Sequence, residues 1–188
     1  MLTSVLALAM AVSGPAASSP PEDAAAAGTE LVGKPAGAWE ATEWLNSPPL
    51  TLAALRGKVV LVRWFTSPDC PYCSATAPAL NQLHEDFKAR GLVVIGMYHH
   101  KDAKTSLDVN KVKGWVADYK FTFPVAVDRD WRTLHRWWLD GATRDFTSVS
   151  FLIDKKGVIR RVHPGGAMAL GGADYAQMRA AVARLTAE

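Results

Sequence analysis

Only two of the 188 residues are cysteines, Cys70 and Cys73, and only Pro71 and Tyr72 separate them. One pair cannot build a disulfide scaffold, so a bridge between them would be a working part and not a staple. Clustered basic residues are also lacking. The formal net charge is +3, and no run of Lys or Arg marks a basic patch, which argues against nucleic acid as a partner. The pairs Lys155-Lys156 and Arg160-Arg161 read instead as the solvated parts of a hairpin. The apolar run Leu2 to Val12 is shorter than the roughly 20 residues that span a bilayer. No Lys or Arg precedes it; the first basic residue is Lys34.

The segment Met1–Ser19 nonetheless has the outline of a leader. An apolar, Ala-rich stretch is followed by Ser13-Gly14-Pro15-Ala16-Ala17-Ser18-Ser19, small residues that suit a signal peptidase. We expect residues 1–19 to be a signal peptide, 20–30 a disordered linker and 31–188 a single domain. The expected location is therefore periplasmic or otherwise exported, with an N-terminal membrane tether if the leader is not cleaved. Hydrophobic residues make up 49% of the chain and charged residues 21%, ordinary values for one globular domain with a full core.

The two cysteines follow the apolar run Val59–Phe65 and open a segment with helical periodicity. A Cys-x-x-Cys where a strand meets a helix suits thiol–disulfide exchange. The spacing lets the sulfurs close a small ring, and the helix start aims free N–H groups at the first sulfur. Asp69 or Ser67 is the expected cap, with Pro71 at the first helical position, where a missing N–H does no harm. Leu80, Leu83 and Phe87 lie on one helix face, and Gly91 ends it. Pro78 falls inside the helix, where it removes a hydrogen bond and introduces a kink. Arg63 interrupts the apolar run and is expected near a strand end or a solvent opening.

Leu92–Tyr98 reads as the next strand of a βαβ unit, and Val109, Val112, Val116 and Tyr119 form the stripe of a second helix. Phe123–Val127 is a short strand, and Trp131, Leu134 and Trp138 share one face of a short helix. A hairpin at Val149–Val162, turning at Asp154-Lys155-Lys156-Gly157, precedes a terminal helix over 174–186. This order gives an α/β fold of three layers.

With these residues in this order, the chain resembles the thioredoxin fold and, more closely, the exported TlpA/ResA-like thiol–disulfide oxidoreductases. The carriers are Leu55-Arg56-Gly57-Lys58-Val59-Val60-Leu61-Val62, Cys70-Pro71-Tyr72-Cys73, Pro78 and Phe151-Leu152-Ile153-Asp154-Lys155-Lys156-Gly157. The resemblance implies a thioredoxin-like central mixed β-sheet with helices on both faces. It makes Cys70 the attacking thiolate and Cys73 the shielded resolving thiol, with Pro71, Tyr72, Pro78 and Ser148 in support. It implies no cofactor and no metal. The implied partners are protein disulfides or dithiols and a thiol protein that donates or accepts electrons. Three departures stand out. Asp69 precedes the first cysteine where relatives have Trp. Arg63 and Thr76 occupy positions where relatives keep a buried acid. Ser148 stands where the fold has a cis-proline, and a trans bond is expected before it, close to Cys70.

Other readings remain open at this point. Cys70, Cys73 and a His such as His99 are a possible Cu(I) ligand set. A peroxiredoxin-like peroxidase is another, although Thr66 precedes Cys70 by four positions and not three. A redox-inert binding domain is the fourth. His99, His100 and His163 attract notice as proton carriers, but solvated loop positions are the simpler reading. Trp64, Trp115, Trp131 and Trp138 sit at core spacing, whereas Trp137 is a candidate for a partner-binding surface.

Overall fold

The computed structural model describes residues 27–101 and 105–188. The leader over 1–19 and residues 20–26 of the expected linker lie outside the described residues.

Strand formation follows the apolar runs. β1 (Glu43–Leu45), β2 (Val59–Phe65), β3 (Leu92–Tyr98), β4 (Val125–Val127), β5 (Ser150–Ile153) and β6 (Ile159–His163) form one six-stranded sheet in the order β1-β4-β3-β2-β5-β6. The β2–β3 and β3–β4 pairs are parallel, and the other three are antiparallel. The sheet is mixed, as expected, and β1 closes one edge. At the other edge the entering chain lies against β6. The Gly33 amide donates to Ile159 O at 2.8 Å, and the Ile159 amide donates to Lys34 O at 2.9 Å. Packing reaches back to Gly28, whose φ of 88° fits it beneath Trp138 and Val162.

Four helical segments cover the sheet: α1 (Pro71–Phe87), α2 (Val109–Asp118), α3 (Arg132–Leu134) running into a π-turn at His135–Leu139, and α4 (Ala173–Ala187). Alternation along β2 divides the core. Val59, Leu61 and Phe65 face α1, α2 and α4, together with Leu80, Leu83, Phe87, Val116, Met178 and Val182. Val60, Val62 and Trp64 face the opposite layer, built from Leu134, Trp137, Trp138, Phe151 and Ile153. Trp137 is therefore core, not surface. The π-turn, closed by the Asp140 amide donating to His135 O, brings Trp137 and Trp138 onto the sheet side together. Phe151 meets Trp64, Trp137 and Trp138 edge-on.

Phe151 is fully buried at the meeting point of these three indoles. Phe151→Ala should therefore cost about 3–5 kcal/mol in urea unfolding, with the m-value unchanged.

Candidate active site

The chain leaves β2 at Phe65, makes a turn at Pro68-Asp69 and enters α1. Neither Asp69 nor Ser67 caps the helix. Cys70 does: its backbone is extended, and its sulfur accepts the Cys73 amide at 3.3 Å. Pro71 takes the first helical position, so the helix start presents no competing donor there. Ser67 Oγ donates to Asp69 Oδ2, and Asp69 itself is exposed.

The two sulfurs differ sharply in environment. Cys70 is half-buried at the helix start, whereas Cys73 is 5% exposed, one turn inside. Cys73 Sγ donates to Cys70 Sγ at 2.6 Å. That hydrogen bond, helped by the Cys73 amide and opposed by partial burial, brings the Cys70 thiol down to about 5. The same bond and deeper burial drive Cys73 far upward. One negative charge is thus shared by the pair and resides on Cys70.

Three other side chains hold this arrangement. Tyr119, just after α2, donates its hydroxyl to Ser67 O at 2.8 Å and approaches Thr66 O at 3.3 Å, fixing the loop that carries Cys70. Thr66 Oγ1 lies 3.7 Å from Cys73 Sγ. Thr76, a turn beyond Cys73, donates to Tyr72 O at 2.7 Å and accepts the Met168 amide at 3.0 Å. The segment following β6 therefore closes over the buried side of the pair.

The remaining expected residues spread around this centre. Tyr72 is 45% exposed beside Cys70. Helix α1 continues through Pro78, whose exposed ring joins Pro68, Ser74, Asn81 and Tyr119 around an open groove of about 390 Å³. Ser148 lies two residues before Ser150, which pairs with Arg63, so it sits at the end of β2 from which the cysteine loop departs. No peptide bond among the described residues is cis, as expected before Ser148. Ser148 makes no side-chain hydrogen bond to either cysteine.

Three expectations need correction, the first being His163, which lies buried at the end of β6 and not in a solvated loop. Arg63 is not near an opening: it is 1% exposed within the sheet. His99 is not a solvated loop residue. It is buried edge-on against Trp131, and burial lowers it to about 3. The copper reading lacks a ligand set, since among the described residues no three His, Cys, Asp or Glu side chains converge. The Tyr119 clamp was missed because its core spacing concealed a polar tip.

Residues 32–162 match the AhpC/TSA family. The chain belongs to the AhpC/TSA family. It is 32% identical over 127 residues to protein DipZ of Mycobacterium bovis, an alignment covering 66% of this chain and 17% of DipZ. It is 30% identical over 128 residues to the thiol-disulfide oxidoreductase ResA of Bacillus anthracis, covering 68% of this chain and 66% of ResA. The chain spans less than a fifth of DipZ and just under two thirds of ResA. Among solved structures, the thioredoxin-like superfamily protein SPOA0173 superposes with a TM-score of 0.65 at 28% identity, over 82% of this chain and 97% of that one. The AhpC/TSA match and this superposition agree with the thioredoxin-like sheet described above.

For this AhpC/TSA family member, the asymmetry of the pair sets a pH dependence. Alkylation of the reduced protein at Cys70 should be steady at neutral pH and fall below a midpoint of about 5, where the thiolate is protonated. A midpoint between 8 and 9, the range of a free thiol, would contradict the sulfur geometry.

Proposed function

We propose that the protein is a thiol–disulfide oxidoreductase that exchanges dithiols and disulfides with protein partners in the cell envelope. The observation that carries this reading is the unequal pair, a half-buried low-pKa Cys70 receiving a hydrogen bond from a buried Cys73. Cys70 thiolate attacks one sulfur of a partner disulfide, whose S–S bond breaks as the mixed disulfide forms. The departing partner sulfur leaves as thiolate and takes up a proton. Cys73 then gives up its proton, and its sulfur attacks Cys70 Sγ. The Cys70–Cys73 bond forms, and the second partner sulfur leaves. Two electrons pass to the partner, and the reverse direction uses the same steps. Tyr72, exposed beside Cys70, and Ser148, at the end of β2 from which the cysteine loop departs, are the supporting residues for an approaching strand, and a second thiol protein restores the pair.

A peroxiredoxin-like peroxidase is the weaker reading. The second thiol already donates to the first, an arrangement that completes exchange within one chain. Export through the leader over 1–19 supplies the compartment in which such a partner disulfide persists.

Two outcomes test this reading. Cys73→Ala should accumulate mixed disulfides with partner proteins on non-reducing gels, and Cys70→Ala should accumulate none. Trapping through Cys73 alone would reverse the roles. A tagged full-length protein should be recovered outside the cytoplasm and shortened by about the length of a signal peptide. Purely cytoplasmic protein would remove the envelope assignment.

A further inference from the structure

β2 carries one charge that packing does not explain. Arg63 lies between Leu61 and Phe65 on the α1 face of the central strand, paired with Gly96 of β3 and Ser150 of β5. Its side chain is buried among neutral groups. Nη1 donates to Ser150 Oγ at 3.2 Å and faces His163 Nδ1 at 3.4 Å. Nη2 donates to Gly166 O at 2.9 Å and reaches Thr76 Oγ1 at 3.5 Å. Nε has no partner. No carboxylate among the described residues pairs with it. The nearest in this chain of contacts, Asp174, is one residue removed, with Oδ2 3.4 Å from His163 Nε2.

This arrangement also fixes His163. Its Nδ1 points at a guanidinium N–H and must accept, which leaves the proton on Nε2, directed at Asp174. A protonated imidazole would set two cations face to face. Burial first, then Arg63, lowers His163 to about 4, while Asp174 raises it and Arg161 lowers it further. The imidazole is thus neutral at ordinary pH and cannot offset Arg63.

A buried cation without a counter-charge is costly. The groups that can supply one are the cysteines. Burial lowers the Arg63 guanidinium to about 10, and the thiol pair, Cys73 first and then Cys70, pulls it back up; since Cys73 keeps its proton, the charge that does so at ordinary pH is the one on Cys70. Thr76, in contact with Arg63, also ties the guanidinium to the turn of α1 that carries Cys73.

We propose that Arg63 is the buried counter-charge of the reduced pair, a positioning residue that favours the dithiol over the disulfide and so makes this protein an acceptor of electrons from partner dithiols. The proposal rests on Cys70 and Cys73 being the exchanging pair. When the Cys70–Cys73 bond is reduced, two electrons come from two partner thiols, whose sulfurs join as a disulfide. Of their two protons, one stays on Cys73 and one leaves to solvent, while Cys70 keeps the negative charge that offsets Arg63. Oxidation removes that charge and leaves Arg63 buried and unopposed. The energetic penalty of the buried guanidinium therefore falls on the disulfide state.

The test compares the full chain with Arg63→Met, which keeps the length and removes the charge, and Arg63→Lys, which keeps the charge. Each is equilibrated with reduced and oxidised glutathione, and the Cys70 thiolate is titrated by its ultraviolet absorbance. Arg63→Met should shift the equilibrium toward the disulfide by about tenfold or more, about 30 mV for a two-electron couple. It should also raise the Cys70 midpoint, and Arg63→Lys should restore most of both. A folded Arg63→Met with unchanged equilibrium and midpoint overturns the proposal. If Arg63→Met does not fold, thermal unfolding of the unaltered protein decides. The folded-state Cys70 value is depressed, so its contribution is present above the unfolded thiol value and is lost as pH falls through about 5. The reduced form should therefore unfold at a higher temperature than the oxidised form at neutral pH, with the margin shrinking toward pH 5. An oxidised form of equal or greater stability at neutral pH overturns the proposal. If the unaltered protein does not exchange with glutathione at all, the exchange reading itself fails and this inference falls with it.

Discussion

The hydrogen bond from the Cys73 amide to Cys70 Sγ joins helix initiation to sulfur chemistry. Helices ordinarily begin with an oxygen cap, and Asp69 and Ser67 were both within reach in sequence. Using sulfur instead places the reactive atom where the first amides of α1 converge. The strand before it, the proline after it and the Tyr119 clamp all serve to hold that atom in the capping position. A side chain that caps its own helix cannot be moved without disturbing the helix start, so the site is as rigid as the fold.

The sheet explains why the two thiols are unequal. β2 is covered on both faces, and α1 leaves its end to pack back onto it through Leu80, Leu83 and Phe87. That packing sinks the second residue of the motif into the core and leaves the first at the rim. The unequal depth of the two thiols is therefore a consequence of helix docking.

Much of this was legible before any coordinates. The continuous apolar run of β2, the β5–β6 hairpin with its Asp154 turn, and the stripe of α4 were all marked by periodicity. The cysteine pair was marked by its place between strand and helix. What escaped had physical reasons. Arg63 was expected near solvent because charge usually is, yet strand alternation reports a face and not a depth. Trp137 was assigned outward on a helical period that the π-turn does not follow. His163 was read as a solvated loop residue because its burial depends on β6 lying beside β5, a long-range pairing that puts it within reach of Arg63. The sulfur cap escaped because cysteine is not among the usual capping residues.

The segment entering the domain lies along β6, bonded to it through Gly33, Lys34 and the Pro35–Val158 bridge. An unprotected outer strand offers a row of free amides and carbonyls to any second strand of suitable length. Here the domain's own entering chain occupies part of that row, so residues 33–35 shield the sheet from edge-to-edge self-association. The length of any processed N-terminus is thereby constrained from within, because removing residues as far as Lys34 would uncover the β6 edge.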